Sequence, residues 1–433
     1  MTQGTSRFLA FDRLRRTFRS PHAGSRFAVL DGYRAFAAMA VVVFHVAGVT
    51  GLTTGFAFWP RALNGLGNLG VSIFFVLSGF LLFRPYVYAN FTATEPKRLR
   101  LYIRHRMLRI LPGYWFALTG LLLLLPNSPL LHFGHRHLRV ADYLTLFSLT
   151  MNLRAGFAFK GLAVAWTLHL EVLFYLTLPL IAFGMATCSR RLGGSARVRL
   201  RTTLAGLGLM AIISVSYRTM LIWWWRGPTY SENLWLLNYL DWFAVGMLLA
   251  TAIAWKDSGH SLPRGVVWTC RSPSLGWLVA AMLYVVCIYV TFPAGEKGQE
   301  SMYQIHMRYL LFGLIALALL APVTIGIVTP DPLRQVLSSA PVLFIGTISY
   351  GVYLWHTIIR DLLTQTSWWA HSSKSFWFLL VPTMIGTVAI ASVSYYLIER
   401  PLLRFKDTRT KRSPSDPDGR VGGSRHPRAM DVR

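Results

Sequence analysis

Long apolar stretches alternate with short, basic connections along most of the chain. Ten stretches are long and apolar enough, or nearly so, to cross about 30 Å of hydrocarbon as helices. Their approximate spans are 28–52, 67–89, 107–126, 165–187, 202–224, 233–255, 274–293, 306–328, 341–363 and 375–400. The pattern predicts an all-α, polytopic membrane protein with about ten transmembrane helices.

Composition supports the same class. Of the 433 residues, 54% are hydrophobic and only 14% are charged, and the mean hydropathy is +0.43. A soluble domain needs about a quarter of its residues charged to cover its surface. A disordered chain, a soluble enzyme and a disulfide scaffold are therefore excluded. The cysteines Cys188, Cys270 and Cys287 lack metal-ligand spacing, so no metal site is expected.

The positions of the charges predict the orientation. If the N-terminus is cytoplasmic, 31 of the 44 Lys and Arg residues lie on the cytoplasmic side and eight lie in the opposite loops. This bias places both termini in the cytoplasm. The net charge of +27 then matches the lipid surface, and no nucleic-acid signature is present. The expected organisation is a basic segment 1–27, a membrane domain 28–405 and a disordered basic tail 406–433.

The loop 127–164 is the longest on the predicted outer side. It contains His132, His135 and His137 and a short amphipathic run near Asp142–Met151. Two interpretations of that run remain open from the sequence. It either lies on the membrane surface or folds over a site.

Charged residues inside the first and third spans suggest an anion site. Such residues are costly in hydrocarbon, so each is a functional hypothesis. Arg34, which follows Asp31, and His45 are eleven residues apart, so they share one helix face about 16 Å apart along the axis. Arg106 and Arg109 share a face at the cytoplasmic end of the third span. Clustered guanidinium groups there could bind phosphate in bidentate fashion.

Three further ionisable residues fall at the depth of His45. Glu171, Asp241 and His356 lie in the predicted outer halves of the fourth, sixth and ninth spans. A buried Glu beside a His orients the imidazole and raises its basicity. The sequence does not show whether these side chains meet. His356 and Asp361 are five residues apart, which separates them by about 140° on a helix and argues against a shared site.

Six motifs in order along the chain resemble the acyltransferase-3 family of integral membrane acyltransferases. They are Leu30–Ala35 leading to His45, Gly70–Phe80, the pair Arg106 and Arg109, Trp166–Tyr175, Ser349–His356, and Glu399–Pro401. Together they cover the membrane region from about residue 28 to 405.

The resemblance implies a multi-pass enzyme of a bacterial plasma membrane. It implies transfer of an acyl group, often acetyl, from cytoplasmic acyl-CoA to a hydroxyl of a sugar, a cell-envelope glycan or glycolipid, or a secondary metabolite. Arg34, Arg106 and Arg109, with Asp31 beside Arg34, would hold the phosphates of coenzyme A. His45 would be the general base, oriented or charged by Glu171, and His356 and Asp241 are the further catalytic candidates.

Alternatives remain at several points. An acyl-imidazole on His45 would need a second step. Acyl delivery is either direct or through a separate extracytoplasmic partner. The competing class is a ten-span transporter that uses buried charges for substrate or protons, although no inverted repeat supports it.

Reporter fusions test the predicted orientation. Green fluorescent protein fused at the C-terminus should fluoresce, whereas alkaline phosphatase fused there should be inactive, because that enzyme matures only outside the cytoplasm. Insertion of the phosphatase between residues 294 and 305 should give activity. An active phosphatase at the C-terminus would invert the topology.

Overall fold

The computed structural model describes residues 28–55, 57–92, 94, 98–128, 131, 138–224, 232–292, 300–326, 331–370 and 375–403. The predicted terminal segments 1–27 and 406–433 lie outside these residues, as do His132, His135 and His137.

Ten long helices, each apolar enough to cross a membrane, dominate the described residues. They are α1 (Ala28–Val49), α2 (Phe58–Thr92), α3 (Leu99–Leu124), α5 (Trp166–Arg191), α6 (Ala196–Trp224), α7 (Leu240–Asp257), α9 (Pro273–Thr291), α10 (Met302–Thr324), α12 (Ala340–Thr364) and α14 (Phe376–Ser394). Four short helices lie between them: α4 (Val140–Phe147), α8 (Arg264–Thr269), α11 (Pro332–Leu337) and α13 (Ser367–Ala370). No β-strand occurs in the described ranges, so the predicted all-α fold with ten spans is confirmed. The orientation of the termini stays a prediction.

Some helices begin where hydropathy did not predict. α2 begins at Phe58 rather than at residue 67, and α3 begins at Leu99 rather than at 107. Hydropathy marks the hydrocarbon-crossing part of a helix, whereas backbone hydrogen bonding continues into the polar region beyond it. α7 begins later than predicted, at Leu240, because residues 232–239 form two 3₁₀ turns instead.

Two glycines let pairs of helices approach at backbone distance. A Cβ atom at Gly246 of α7 would lie 2.0 Å from the carbonyl oxygen of Val76 on α2. A Cβ atom at Gly346 of α12 would lie 2.0 Å from the carbonyl oxygen of Asp31 on α1. Small residues at such crossings are typical of membrane helices, whose association depends on close packing. The second contact brings α12 directly beside the residues that precede Arg34.

The chain packs around two apolar clusters. The larger one draws side chains from most of the helices, including Phe80, Tyr114, Phe174 and Phe243. A smaller one joins α1, α12 and α14 through residues such as Val42 and Val352. Apolar side chains therefore pack on both sides of the α1–α12 pair and hold the two helices in a fixed position relative to each other.

The loop after α3 is packed against the bundle. The Tyr114 hydroxyl donates to the carbonyl oxygen of Leu146 at 2.6 Å, and the Trp115 indole donates to that of Phe147 at 2.9 Å. Asp142 is completely buried and pairs with Arg154 at 2.7 Å. Asp142 and Leu146 of this run are buried, but Val140 and Leu144 are exposed, so a place on the membrane surface and folding over a site both stay open.

Asp331 ties two helix N-termini together outside the spans. It caps α11, and it accepts hydrogen bonds from the Ser272 hydroxyl at 2.8 Å and the Ser274 hydroxyl at 2.9 Å, at the start of α9. Burial alone would raise the pKa of Asp331, but these hydrogen bonds outweigh burial and hold the pKa below its ordinary value. The carboxylate is therefore charged at neutral pH and links the two helices.

Replacement of Gly346 by Ala tests the close contact of α1 and α12. The added methyl group would overpack against Asp31 and lower the free energy of unfolding by about 1–3 kcal/mol. Gly184 of α5 is the matched control, because a Cβ atom there meets nothing within 4 Å. Gly184→Ala should raise stability by about 0.5–1 kcal/mol. Thermal unfolding in detergent measures both, and equal midpoints would refute the contact.

Candidate active site

A cavity lies among α1, α2, α3, α5 and α12. It contains ≈ 850 Å³ of empty space, a volume that includes open solvent. Its polar lining consists of Arg34, Ser78, Arg106, Arg109, Thr167, Glu171, Tyr175, Ser349, Tyr350 and Tyr353, and the remaining walls are apolar. Three guanidinium groups from two helices thus face one space.

Each arginine is supported differently. Arg34 Nη1 pairs with Asp31 one turn earlier on α1, at 2.6 Å. The Arg106 guanidinium lies 5.8 Å from the ring centres of both Tyr102 and Tyr175. Its Nε is buried and has no hydrogen-bond partner among the described residues, which is unusual for a buried donor. Arg109 is exposed to the open part of the cavity. The three groups are suited to a phosphate-bearing anion.

Glu171 belongs to the arginine end of the site. Its Oε1 accepts hydrogen bonds from Tyr175 at 2.5 Å and from Ser78 at 2.9 Å. No hydrogen bond within the described ranges joins it to His45, so the expected orienting role stays a prediction. The turn that precedes α5 is buried, with Ala165 0% exposed.

One face of α12 connects the cavity to a pair of histidines. Ser349, Tyr353 and His356 succeed one another at helical spacing, and the first two line the cavity. The Tyr353 hydroxyl lies 2.8 Å from the Thr167 hydroxyl and donates to the Val164 carbonyl at 3.1 Å. The ring centres of Tyr353 and His356 are 6.0 Å apart. Tyr353 therefore forms the wall between the cavity and the histidines.

His45 and His356 meet across the α1–α12 contact. His45 Nδ1 lies 3.1 Å from His356 Nε2, and His356 is completely buried. Arg360, one turn beyond His356, donates to the carbonyl oxygen of His45 at 3.4 Å and pairs with Asp361 at 2.5 Å. The structure thus brings His45 and His356 together, which the sequence could not show, whereas Asp361 pairs with Arg360 and not with His356.

Comparison with known proteins identifies the family of this chain. The family model described as an acyltransferase domain, acyltransferase 3, matches residues 27–396. The chain belongs to the acyltransferase-3 family.

Several curated relatives are similar to this acyltransferase over most of its length. ORF330 of Acidianus two-tailed virus, provisionally named an acetyltransferase, is 26% identical over 354 residues, which are 81% of this chain and 88% of ORF330. YrhL of Bacillus subtilis, provisionally named a peptidoglycan O-acetyltransferase, is 26% identical over 386 residues, 86% of this chain and 54% of YrhL. The O-acetyltransferase OatA of Staphylococcus aureus is 23% identical over 381 residues, 86% of this chain and 56% of OatA.

This acyltransferase therefore spans about half the length of YrhL and OatA. No solved structure gives a significant match. The expectation of a membrane O-acyltransferase is confirmed to this extent: the family is one of acyltransferases, the chain is a multi-pass membrane protein, and two relatives carry O-acetyltransferase names. The transporter alternative loses its basis.

Asp241 of this acyltransferase is not brought to the cavity. It forms an ion pair with Arg218 of α6, which also donates to Ser214 at 2.7 Å and lies 4.0 Å from the ring centre of Tyr309. Equal depth in the membrane did not imply the same place, because α7 presents Asp241 to α6 and α10. The geometry supports a structural role for this residue.

Two other features bear on the predicted chemistry. Among the described residues, no group of three His, Cys, Asp or Glu side chains could hold a metal ion. Ser78, Tyr175 and Tyr353 fall in motifs of the sequence, but their roles beside Glu171 and His356 were missed. The signal that could have revealed Tyr175 is its spacing of one helical turn from Glu171.

Variants of the Arg218–Asp241 pair separate structure from catalysis. Removing one charge, as in Arg218→Met, leaves the other buried and should cost about 3–5 kcal/mol of stability. The double variant Arg218→Met/Asp241→Leu should recover most of this loss and retain acyl transfer. Unfolding midpoints and transfer rates measure the two effects. A stable but inactive double variant would return Asp241 to the catalytic site.

Proposed function

We propose that the chain is a membrane O-acyltransferase of a bacterial plasma membrane, with both termini cytoplasmic. It transfers an acyl group, acetyl in the first instance, from cytoplasmic acyl-CoA to a hydroxyl of a cell-envelope glycan or glycolipid or of a small metabolite. The observation that carries the proposal is that an arginine-lined cavity lies next to a pair of histidines. Three arginines face one cavity, and Tyr353 of its wall lies beside His356, which contacts His45.

The arginine end is suited to the phosphates of coenzyme A. Arg34, Arg106 and Arg109 supply planar, always-charged donors that match phosphate oxygens, and the unused Nε of Arg106 is one such donor. Asp31 fixes Arg34, and Glu171 offsets part of the positive charge when no anion is bound. Apolar walls of Val71, Phe74 and Leu77 would accompany the uncharged pantetheine arm toward the histidines.

The histidine end is suited to general-base catalysis. His45 lies about 16 Å along α1 from Arg34, on the same helix face. It would take the proton of the acceptor hydroxyl as the oxygen attacks the thioester carbonyl. The carbon–sulfur bond then breaks, and the imidazolium returns the proton to the departing thiolate, so the enzyme is unchanged.

The names of the relatives support the acceptor class. YrhL is named for peptidoglycan O-acetylation and OatA for O-acetylation. Delivery of the acyl group to the acceptor would be direct or through a separate extracytoplasmic partner.

Two variants test the two ends separately with acetyl-CoA and protein in native membranes. Arg109→Gln should raise KM for acetyl-CoA about 10–100-fold, because a hydrogen bond to a charged group contributes about 1.5–3 kcal/mol. His45→Ala should leave coenzyme A binding intact and lower kcat at least about 100-fold.

Arg264→Gln, on the exposed surface of α8, is the matched control and should change neither constant. Full transfer by His45→Ala would refute the proposed base. An unchanged KM in Arg109→Gln would refute the donor site.

A further inference from the structure

Both ring nitrogens of His356 face a partner. Nδ1 lies 3.1 Å from the carbonyl oxygen of Val352, and Nε2 lies 3.1 Å from His45 Nδ1. A carbonyl oxygen only accepts, so the hydrogen of His356 resides on Nδ1. In the neutral ring Nε2 then carries a lone pair. His356 therefore presents an acceptor to His45.

The contacts of His45 independently place its own ring hydrogen on Nδ1. Its Nδ1 also lies 3.0 Å from the carbonyl oxygen of Val41, which again requires a hydrogen on Nδ1. That hydrogen is shared between Val41 and His356 Nε2. His45 Nε2 is left with its lone pair, and no hydrogen bond within the described ranges occupies it. Since His45 is partly exposed whereas His356 is completely buried, only His45 can present this lone pair to a substrate.

The opposite tautomer is disfavoured. With its hydrogen on Nε2, His356 would turn its Nδ1 lone pair toward the Val352 oxygen, and an acceptor that faces only an acceptor costs about 1–3 kcal/mol. His45 Nδ1 would then accept from His356 Nε2–H, but its lone pair would also face the Val41 oxygen. Two carbonyl oxygens, one on each helix, thus set the direction of the whole chain of hydrogen bonds.

We propose that His356 is a positioning residue, which holds His45 in the tautomer whose Nε2 receives the proton of the acceptor hydroxyl. The inference rests on the proposed function, because it assigns His45 as the base. During the reaction His45 Nε2 gains a proton, while Nδ1–H stays bonded to His356 Nε2. That bond strengthens as the His45 ring becomes positive, and His356 itself exchanges no proton.

Amide variants of His356 distinguish the two ring nitrogens. Gln can place its amide oxygen near the position of Nε2 and accept from His45, whereas Asn reaches only the Nδ1 position. His356→Gln should keep kcat for coenzyme A release from acetyl-CoA in native membranes within about tenfold of wild type. His356→Asn and His356→Leu should each lose about 100-fold or more, with KM for acetyl-CoA unchanged, since a partner that fixes an imidazole commonly contributes about this much.

Two outcomes would overturn the proposal. If His356→Gln is as slow as His356→Leu, His356 exchanges a proton itself. If His356→Asn is as fast as His356→Gln, the bond to His45 has no role. Retained coenzyme A binding shows that each variant is folded, and His306→Gln, at a histidine bonded to Thr219 away from the cavity, should leave kcat unchanged. Activity of His45→Ala would instead refute the proposed function.

Nitrogen-15 NMR of labelled histidine reports the tautomer of His45, which a loss of packing alone would not change. In the wild type His45 should show the Nδ1–H form, and in His356→Leu it should shift toward a mixture of the two tautomers. An unchanged His45 signal in His356→Leu would show that Val41 alone sets the tautomer and would refute the role of His356.

Discussion

The site depends on the close contact between α1 and α12. Gly346 admits the backbone of Asp31 at a distance that no side chain would permit, and ten to fourteen residues further along, the same two helices bring His45 and His356 together. α1 carries both Arg34 and His45, while α12 carries Tyr353 of the cavity wall and His356. In the proposed mechanism, this pairing of two helices would set the distance between the donor's phosphates and the base.

Placing three guanidinium groups near one another inside a membrane protein is costly. The structure lowers this cost through neighbours of different kinds. Asp31 pairs directly with Arg34, and two tyrosine rings lie beside the Arg106 guanidinium. Glu171, which accepts hydrogen bonds from two hydroxyl groups, contributes a negative charge. Since Glu171 receives its hydrogen bonds from α2 and from its own helix, it stays fixed whether or not an anion lies between it and the arginines.

The sequence predicted what depends on position along one helix. The ten spans, the shared face of Arg34 and His45, and the arginine pair at one end of α3 all follow from periodicity and length. It could not show which helices are neighbours. Glu171 and Asp241 were expected at one depth, and the structure places Glu171 in the arginine-lined cavity and pairs Asp241 with Arg218.

In the proposed mechanism, the distance along α1 between Arg34 and His45 limits which donors can reach both residues. An anion small enough to lie wholly among the arginines remains about three helical turns short of His45. Inorganic phosphate or a short acyl phosphate can therefore occupy the arginine end without presenting a carbonyl to the base. If the arginines bind the donor and His45 is the base, as proposed, only a donor whose charged group and reactive carbonyl are joined by a long, slender and uncharged tether would engage both ends at once. Selectivity for the donor would then follow from its reach.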